Sequence, residues 1–191
     1  MKYYRDITLQ GDTEISLGFI WQKIYTQMHI MLVEYQKHEK MSKIGFAFPH
    51  YMEEFPLGNV LRLFASTVDE LEVLNLQERL KNFSDYVTLS DITKVPTDIE
   101  GYVTFSRKQF KSNPERLARR YAKRHDITLE EALGVYKNME AQETKLPFVM
   151  LKSNSSKQHM KLFIERCTSD VEVKGLFNTY GLSKTSTVPV F

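Results

Sequence analysis

Cysteine occurs once in the 191 residues, at Cys167. The chain can therefore close no internal disulfide and offers no cysteine cluster for zinc. No apolar run approaches the roughly 20 residues a membrane helix needs. The opening Met1-Lys2-Tyr3-Tyr4-Arg5-Asp6 also lacks the apolar segment of a signal peptide. A cytoplasmic protein with no membrane partner is expected. No Walker A loop, GxGxxG or GxSxG occurs, and none of the five histidines has the HExxH spacing or another metal spacing. No carboxylate cluster of the kind metal-dependent nucleases use stands out, so neither a metal nor another cofactor is expected. Internal repeats and low-complexity stretches are missing as well. What is present is a globular composition: hydrophobic residues make up 42% and aromatics 12% of a 22.4 kDa chain. That suffices for a packed core and excludes a disordered or fibrous protein. The length fits one large domain or two small ones.

The net charge of +2 conceals a strong asymmetry. Residues 1–97 carry a net −3 and residues 98–191 a net +5. Between Arg107 and His125 stand eight basic residues (Arg107, Lys108, Lys111, Arg116, Arg119, Arg120, Lys123, Arg124) against one acid, Glu115. A local field of this kind suits a surface that meets a polyanion. From charge alone a solvated helix face remains open.

Hydrophobic periodicity divides the first half into alternating strands and helices. Tyr3–Leu9 reads as a strand. A helix from about Ser16 to Lys37 follows, its buried face made by Leu17, Ile20, Trp21, Ile24, Met28, Met31, Leu32 and Tyr35. Ile44–Phe48 and Asn59–Ser66 are the next strands. Thr67 caps a helix carrying Leu71, Val73, Leu74 and Leu76, and Tyr86–Val95 returns as a fourth strand. The fold class expected is α+β, with a ferredoxin-like βαββαβ domain over residues 1–97. Pro96 to Glu100 joins it to a C-terminal domain, 98–191.

In the second half Tyr102–Phe105 is extended. Asn113-Pro114-Glu115 then opens a helix of about 114–125, with Asn113 at the N-cap and proline in the first turn. Arg116, Arg119, Arg120, Lys123 and Arg124 fall on one stripe of that helix. Leu117 and Tyr121 mark its packed side. No acid follows Glu115 to pair with the stripe, which favours phosphate contact over simple solvation. Thr128-Leu129-Glu130-Glu131 has the form of a capping box. Leu146–Leu151 and Met160–Ile164 read as a β-hairpin, and Phe177–Phe191 as a tail containing Gly181 and Pro189.

Among the histidines, His38 and His50 sit at element ends, His125 ends the basic helix, and His159 ends the hairpin loop. His29 lies four residues after Tyr25 in the first helix. By itself such a histidine is most often hydrogen-bonded on a helix flank.

The string Ser106 to Asp126 resembles the arginine-rich helix of the subtype I-F CRISPR repeat endoribonucleases. Leu146-Pro147-Phe148-Val149, Lys152-Ser153-Asn154-Ser155, Gln158-His159 and Tyr180-Gly181-Leu182-Ser183-Lys184 resemble the same family. So does the ending Val188-Pro189-Val190-Phe191. The first half matches more loosely, through Ile44 to Pro49 and the helix bearing His29.

The resemblance implies an enzyme that binds the stem-loop of CRISPR repeat RNA and cuts at the 3′ base of the stem without metal. It implies His29 as the catalytic histidine, acting on the ribose 2′-OH to leave a 2′,3′-cyclic phosphate and a 5′-OH. Ser153 is implied to fix the nucleotide and Tyr180 to orient the imidazole. Arg107 and Gln109 match the pair that reads the base of the stem, by two-pronged bonds suited to guanine and adenine. Arg116, Arg119, Arg120, Lys123, Arg124 and His125 are implied to lie along the stem, with Ser155 and Met160 as further RNA contacts. Implied partners are the repeat hairpin, the mature crRNA, and other subunits of the type I-F interference complex. Lys123 stands where arginine is frequent in the family, and Met160 where an aromatic stacks on the terminal base pair. The residues alone leave two rivals: a non-catalytic RNA-hairpin-binding module and a DNA-binding regulator using the basic helix.

Overall fold

The computed structural model describes residues 1–36, 42–53, 55–110, 114–137, 144–152 and 159–191. These form a mixed α/β structure with two antiparallel sheets and several helices, divided into two compact units. One unit comprises Met1–Lys108 and Leu146–Phe191, the other Gln109–Lys145.

In the larger unit the first sheet starts with β1 (Tyr3–Leu9), followed by α1 (Leu17–Tyr35), β2 (Gly45–Ala47) and β3 (Val60–Ala65). Ser16 caps α1, its hydroxyl accepting from the Phe19 N–H. Tyr35 is 40% exposed rather than part of the buried face, whereas Tyr25, not counted in that face from the sequence, is fully buried. Lys37 and His38 lie outside the described residues.

The helix expected after Thr67 is two helices, α2 (Val68–Glu72) and α3 (Leu76–Arg79). Thr67 and Glu70 form a capping box on α2. Asn75, with φ 46°, takes the left-handed conformation that separates the two. Leu71, Leu74 and Leu76 are buried, but the break leaves Val73 62% exposed.

The fourth strand is also broken, into β4 (Val87–Leu89) and β5 (Thr93–Lys94), both pairing with β1. The reason is Ser90. Its hydroxyl accepts from the Asp6 N–H at 2.9 Å, taking a donor that a continuous ladder would bond to backbone. The strand order is β2-β3-β1-β4, antiparallel throughout, with β5 beside β1.

The second sheet of the same unit contains β6 (Gly101–Lys108), β7 (Phe148–Lys152), β8 (His159–Ser169) and β9 (Val188–Val190), in the order β7-β8-β6-β9. The hairpin read from the sequence is present, from Phe148↔Phe163 to Lys152↔His159. Both β6 and β8 run longer than periodicity indicated, because they pair with each other from Tyr102↔Ser169 to Lys108↔Phe163. Strand β9 was hidden in the tail by Pro189, which the sheet tolerates because β9 is an edge strand.

The two sheets share one core with α1. Phe48 packs against Trp21 at 5.6 Å and edge-on to Phe105 at 5.0 Å, joining helix, first sheet and second sheet through three rings. The indole N–H of Trp21 donates to the Gly58 carbonyl at 2.8 Å, so the buried donor is satisfied.

The smaller unit contains α4 (Pro114–His125) and α5 (Leu129–Val135). The expected cap of α4, Asn113, lies outside the described residues. Helix α4 stops where Asp126 turns left-handed at φ 53°, and the Ile127 N–H reaches back to the Ala122 carbonyl. Buried Ala118 and Ala132 belong to α4 and α5, and Tyr121 meets Tyr136 edge-on at 5.9 Å. Thr128 and Glu131 form the expected capping box, and the Thr128 N–H and hydroxyl hold the Glu131 carboxyl below its ordinary pKa. Among the described residues no helix is long and apolar enough to cross a membrane.

Arg62 on β3 ties the first sheet to the chain end that follows β9. Its guanidinium donates to both Asp6 oxygens at 2.8 and 2.9 Å and lies over the Tyr4 and Phe191 rings at 4.6 and 4.3 Å. Arg62→Ala removes fork and stacking together and leaves a half-buried carboxylate unpaired. A stability loss of roughly 2 kcal/mol in urea denaturation is expected. Arg62→Lys should recover less than half of it, because the flat fork is lost.

Candidate functional site

His29 projects half-buried from α1 toward the turn 178–182, which precedes β9. Its Nδ1 lies 2.8 Å from the Thr179 carbonyl oxygen. A carbonyl only accepts, so Nδ1 carries the hydrogen, and in the neutral ring the lone pair sits on Nε2. The imidazole stacks on the Tyr180 ring, with centroids 4.2 Å apart and planes 10° from parallel. Both remaining freedoms of the histidine, its rotation and its tautomer, are thus set by one short turn.

That turn is built from its own polar atoms. Asn178 Oδ1 accepts from the Tyr180 and Leu182 N–H groups at 2.8 and 3.2 Å. The Gly181 N–H returns to the Asn178 carbonyl, and the Asn178 N–H to that of Leu182. Gly181 has φ +70°, and a Cβ there would run into the Phe46 ring. The Gly181 carbonyl accepts from the Phe46 N–H of β2, and the Ser183 N–H donates to the Phe105 carbonyl of β6. Both sheets therefore hold the turn. Tyr25, one helical turn before His29, donates its hydroxyl to the Tyr180 carbonyl at 2.8 Å.

Of the residues singled out in the sequence, His29, Tyr180 and Arg107 come together. The Arg107 guanidinium, at the end of β6, lies 5.6 Å from the Tyr180 ring centroid. Met160 on β8 is half-buried opposite Leu151. Ser153 and Ser155 lie outside the described residues.

Gln109 and the stripe of Arg116, Arg119, Arg120, Lys123, Arg124 and His125 belong to the smaller unit. All of these α4 side chains are exposed. Arg119 pairs with Glu115 at 3.1 Å, and the His125 ring lies 4.1 Å from that of Tyr121. Lys108, part of the same basic run in sequence, is bound to Glu165 across β6 and β8 at 2.9 Å. Among the described residues no three His, Cys, Asp or Glu side chains gather as a metal site.

Two contributors were not visible in advance. Thr179 acts through its carbonyl, which leaves no mark on a sequence. Tyr25 had to be placed by burial. Asn178 and Gly181, three apart, do carry a turn signature, and that could have located the bend.

A His and a Tyr stacked on a rigid turn, with an arginine on the tyrosine and a cationic helix elsewhere in the chain, fit a proton-transfer site in a protein that meets polyanions. The whole chain matches known proteins. The family model described as CRISPR-associated protein (Cas_Csy4) matches residues 4–191. The chain is 37% identical over 192 residues to the CRISPR-associated endonuclease Cas6/Csy4 of Escherichia coli (strain UTI89 / UPEC), with 100% of each chain covered. It is also 37% identical over 193 residues to the protein of the same name from Pseudomonas aeruginosa (strain UCBPP-PA14), again with 100% of each covered. A solved structure described as "An RAMP protein binding different RNA substrates" is similar at 12% identity and a TM-score of 0.41, over 100% of both chains, a likeness too slight to bear weight. The chain belongs to the Cas_Csy4 family of CRISPR-associated proteins, that of the subtype I-F repeat-processing endoribonucleases which its motifs resemble.

Gly181 supplies the test of the turn. Gly181→Ala puts a methyl group into the Phe46 ring at a positive φ. It should lower stability by about 1–3 kcal/mol, read as a shifted denaturation midpoint.

Proposed function

We propose that this chain is the endoribonuclease that processes CRISPR repeat RNA, cutting once at the 3′ base of a stem-loop. The observation that supports this best is the restrained imidazole. With Nδ1–H given to the Thr179 carbonyl, neutral His29 has its Nε2 lone pair free to take a proton. The ribose 2′-OH of the nucleotide before the cut loses its proton to His29. Its oxygen attacks the adjacent phosphorus in line, the bond to the 5′ oxygen of the next nucleotide breaks, and that oxygen takes up a proton from solvent while His29 gives its own back to solvent. The products are a 2′,3′-cyclic phosphate and a 5′-OH. General-base catalysis of this kind contributes about 10²–10⁴-fold. Tyr180, stacked on the ring, keeps it in place, and Ser153 positions the 2′-OH. Because the nucleophile belongs to the substrate and its proton acceptor is a side chain, the proposed route uses no metal. Cleavage in excess chelator should persist.

Binding is assigned to the second half of the chain. Arg107 and Gln109 read the lowest base pairs of the stem, and the α4 stripe from Arg116 to His125 follows its phosphates. A-form major grooves admit side chains only near an end or on a short stem, as a repeat hairpin provides. Ser155 and Met160 complete the contact set, methionine filling an apolar space where a stacking ring is frequent.

In this reading residues 1–97 carry the catalytic histidine and 98–191 the RNA-binding groups. The first sheet, with strand order β2-β3-β1-β4 and helices after β1 and β3, is taken as a ferredoxin-like unit. The stem lies upstream of the cut, so cleavage removes none of the phosphates held by α4. The enzyme is therefore expected to keep the mature crRNA and to join other subunits of a type I-F interference complex with it.

Cleavage and binding should separate cleanly in mutants. His29→Ala should keep hairpin affinity within a few-fold and lose most of the single-turnover rate. A substrate with one 2′-deoxy nucleotide before the cut should bind the parent and stay intact. A non-catalytic hairpin-binding module would instead show no cleavage in the parent.

Arg120→Ala and Arg124→Ala should do the reverse. Each weakens binding and lowers the slope of log affinity against log salt by roughly 0.7–0.9, as one lost phosphate contact requires. Filter-binding titrations across a salt series measure this.

A further inference from the structure

Residues Tyr25 and His29 stand four apart on α1, so they lie on one stripe of the helix. Each reaches a backbone carbonyl of the same turn, and the two carbonyls belong to consecutive residues. His29 Nδ1 meets Thr179 O at 2.8 Å, and the Tyr25 hydroxyl donates to Tyr180 O at 2.8 Å. The helix thus grips the turn at two adjacent points, and Tyr180 stacks on His29 from between them.

Tyr25 is a rigid anchor. Its ring is fully buried, stacked on Phe48 at 6.2 Å, edge-on to Phe46 at 6.0 Å, and 6.4 Å from Trp21. Phe46 is also the ring that closes over Gly181, so the anchor and the turn share a wall. Burial, with the nearby Tyr180 phenol adding to it, pushes the Tyr25 phenol well above its ordinary pKa. The hydroxyl is therefore held in its protonated, donating form around neutral pH.

We infer that Tyr25 is a positioning residue for RNA cleavage: by holding the Tyr180 carbonyl it sets the stacking of Tyr180 on His29 and the hydrogen bond that directs the His29 lone pair to Nε2. This rests on the proposed catalytic role of His29. Tyr25 touches no substrate; it acts through the turn. Removing its hydroxyl releases one of the two carbonyls and lets the Tyr180 backbone rotate while the aromatic core keeps its volume.

The test is Tyr25→Phe beside Thr26→Val, which removes a neighbouring hydroxyl that donates to the Gln22 carbonyl of the same helix. Tyr25→Phe should cut the single-turnover rate roughly tenfold with hairpin affinity unchanged, since small misplacements of reacting groups are costly in rate. Thr26→Val should match the parent. Ring nitrogen NMR of the free protein gives the readout that a merely stabilising residue would not move. In the parent, His29 should be the Nδ1–H tautomer; in Tyr25→Phe it should become a mixture of tautomers. A parental rate and an unchanged tautomer in Tyr25→Phe would overturn the inference while His29→Ala remained inactive. A mixed tautomer in the parent would overturn it without any variant, and so would loss of folding by Tyr25→Phe, which makes the hydroxyl a stability determinant. Parental cleavage by His29→Ala would instead fail the catalytic reading itself.

Discussion

The grip of α1 on the turn 178–182 is the restraint around which the candidate site is organised. A histidine on an exposed helix has three χ1 wells, two ring orientations and two tautomers. Here one carbonyl and one stacked ring reduce those to a single arrangement. The turn can do this because it is itself tied down: Asn178 bonds two of its amides, Gly181 accepts the left-handed bend, both sheets bond it, and Tyr25 holds the Tyr180 carbonyl. These groups lie about 150 residues from His29 in sequence. Their convergence depends on the single core in which Trp21, Phe48 and Phe105 join helix and sheets.

Charge and chemistry occupy different parts of the chain. The imidazole, the tyrosine and Arg107 belong to the larger unit, which supplies geometry through packing and short hydrogen bonds. The α4 cations belong to the smaller unit and remain exposed, with Arg119 held by Glu115. In the proposed function these exposed cations act through long-range attraction to phosphate, which is tolerant of their exact placement. A proton acceptor needs the opposite. In the proposed reading, the different burial of His29 and of the arginines follows from that difference.

Much of the architecture was legible because it is local. The periodic face of α1, the cap at Thr67, the capping box of Thr128, and the β7–β8 hairpin each depend on residues close in sequence. The misreadings have non-local or conformational causes. Ser90 broke the fourth strand by side-chain capture of the Asp6 amide, Asn75 split a helix by turning left-handed, and Pro189 masked an edge strand that only pairing with β6 makes possible. Tyr35 has the spacing of a core residue but remains exposed at the helix end, while Tyr25 is buried by rings from β2 and the segment after it.

By itself the sequence determined the family, through long basic and C-terminal strings, and it determined where charge concentrates, since both are properties of linear order. It also picked out His29, Tyr180 and Arg107, on the strength of that family likeness. Which carbonyl orients His29, that Tyr180 lies parallel to its ring, that Tyr25 and His29 bond neighbouring residues of one turn, and that Lys108 is spent on Glu165 were decided only by tertiary structure. Backbone carbonyls are the same at every residue and carry no compositional signal, so what they bond is settled only when the chain closes on itself.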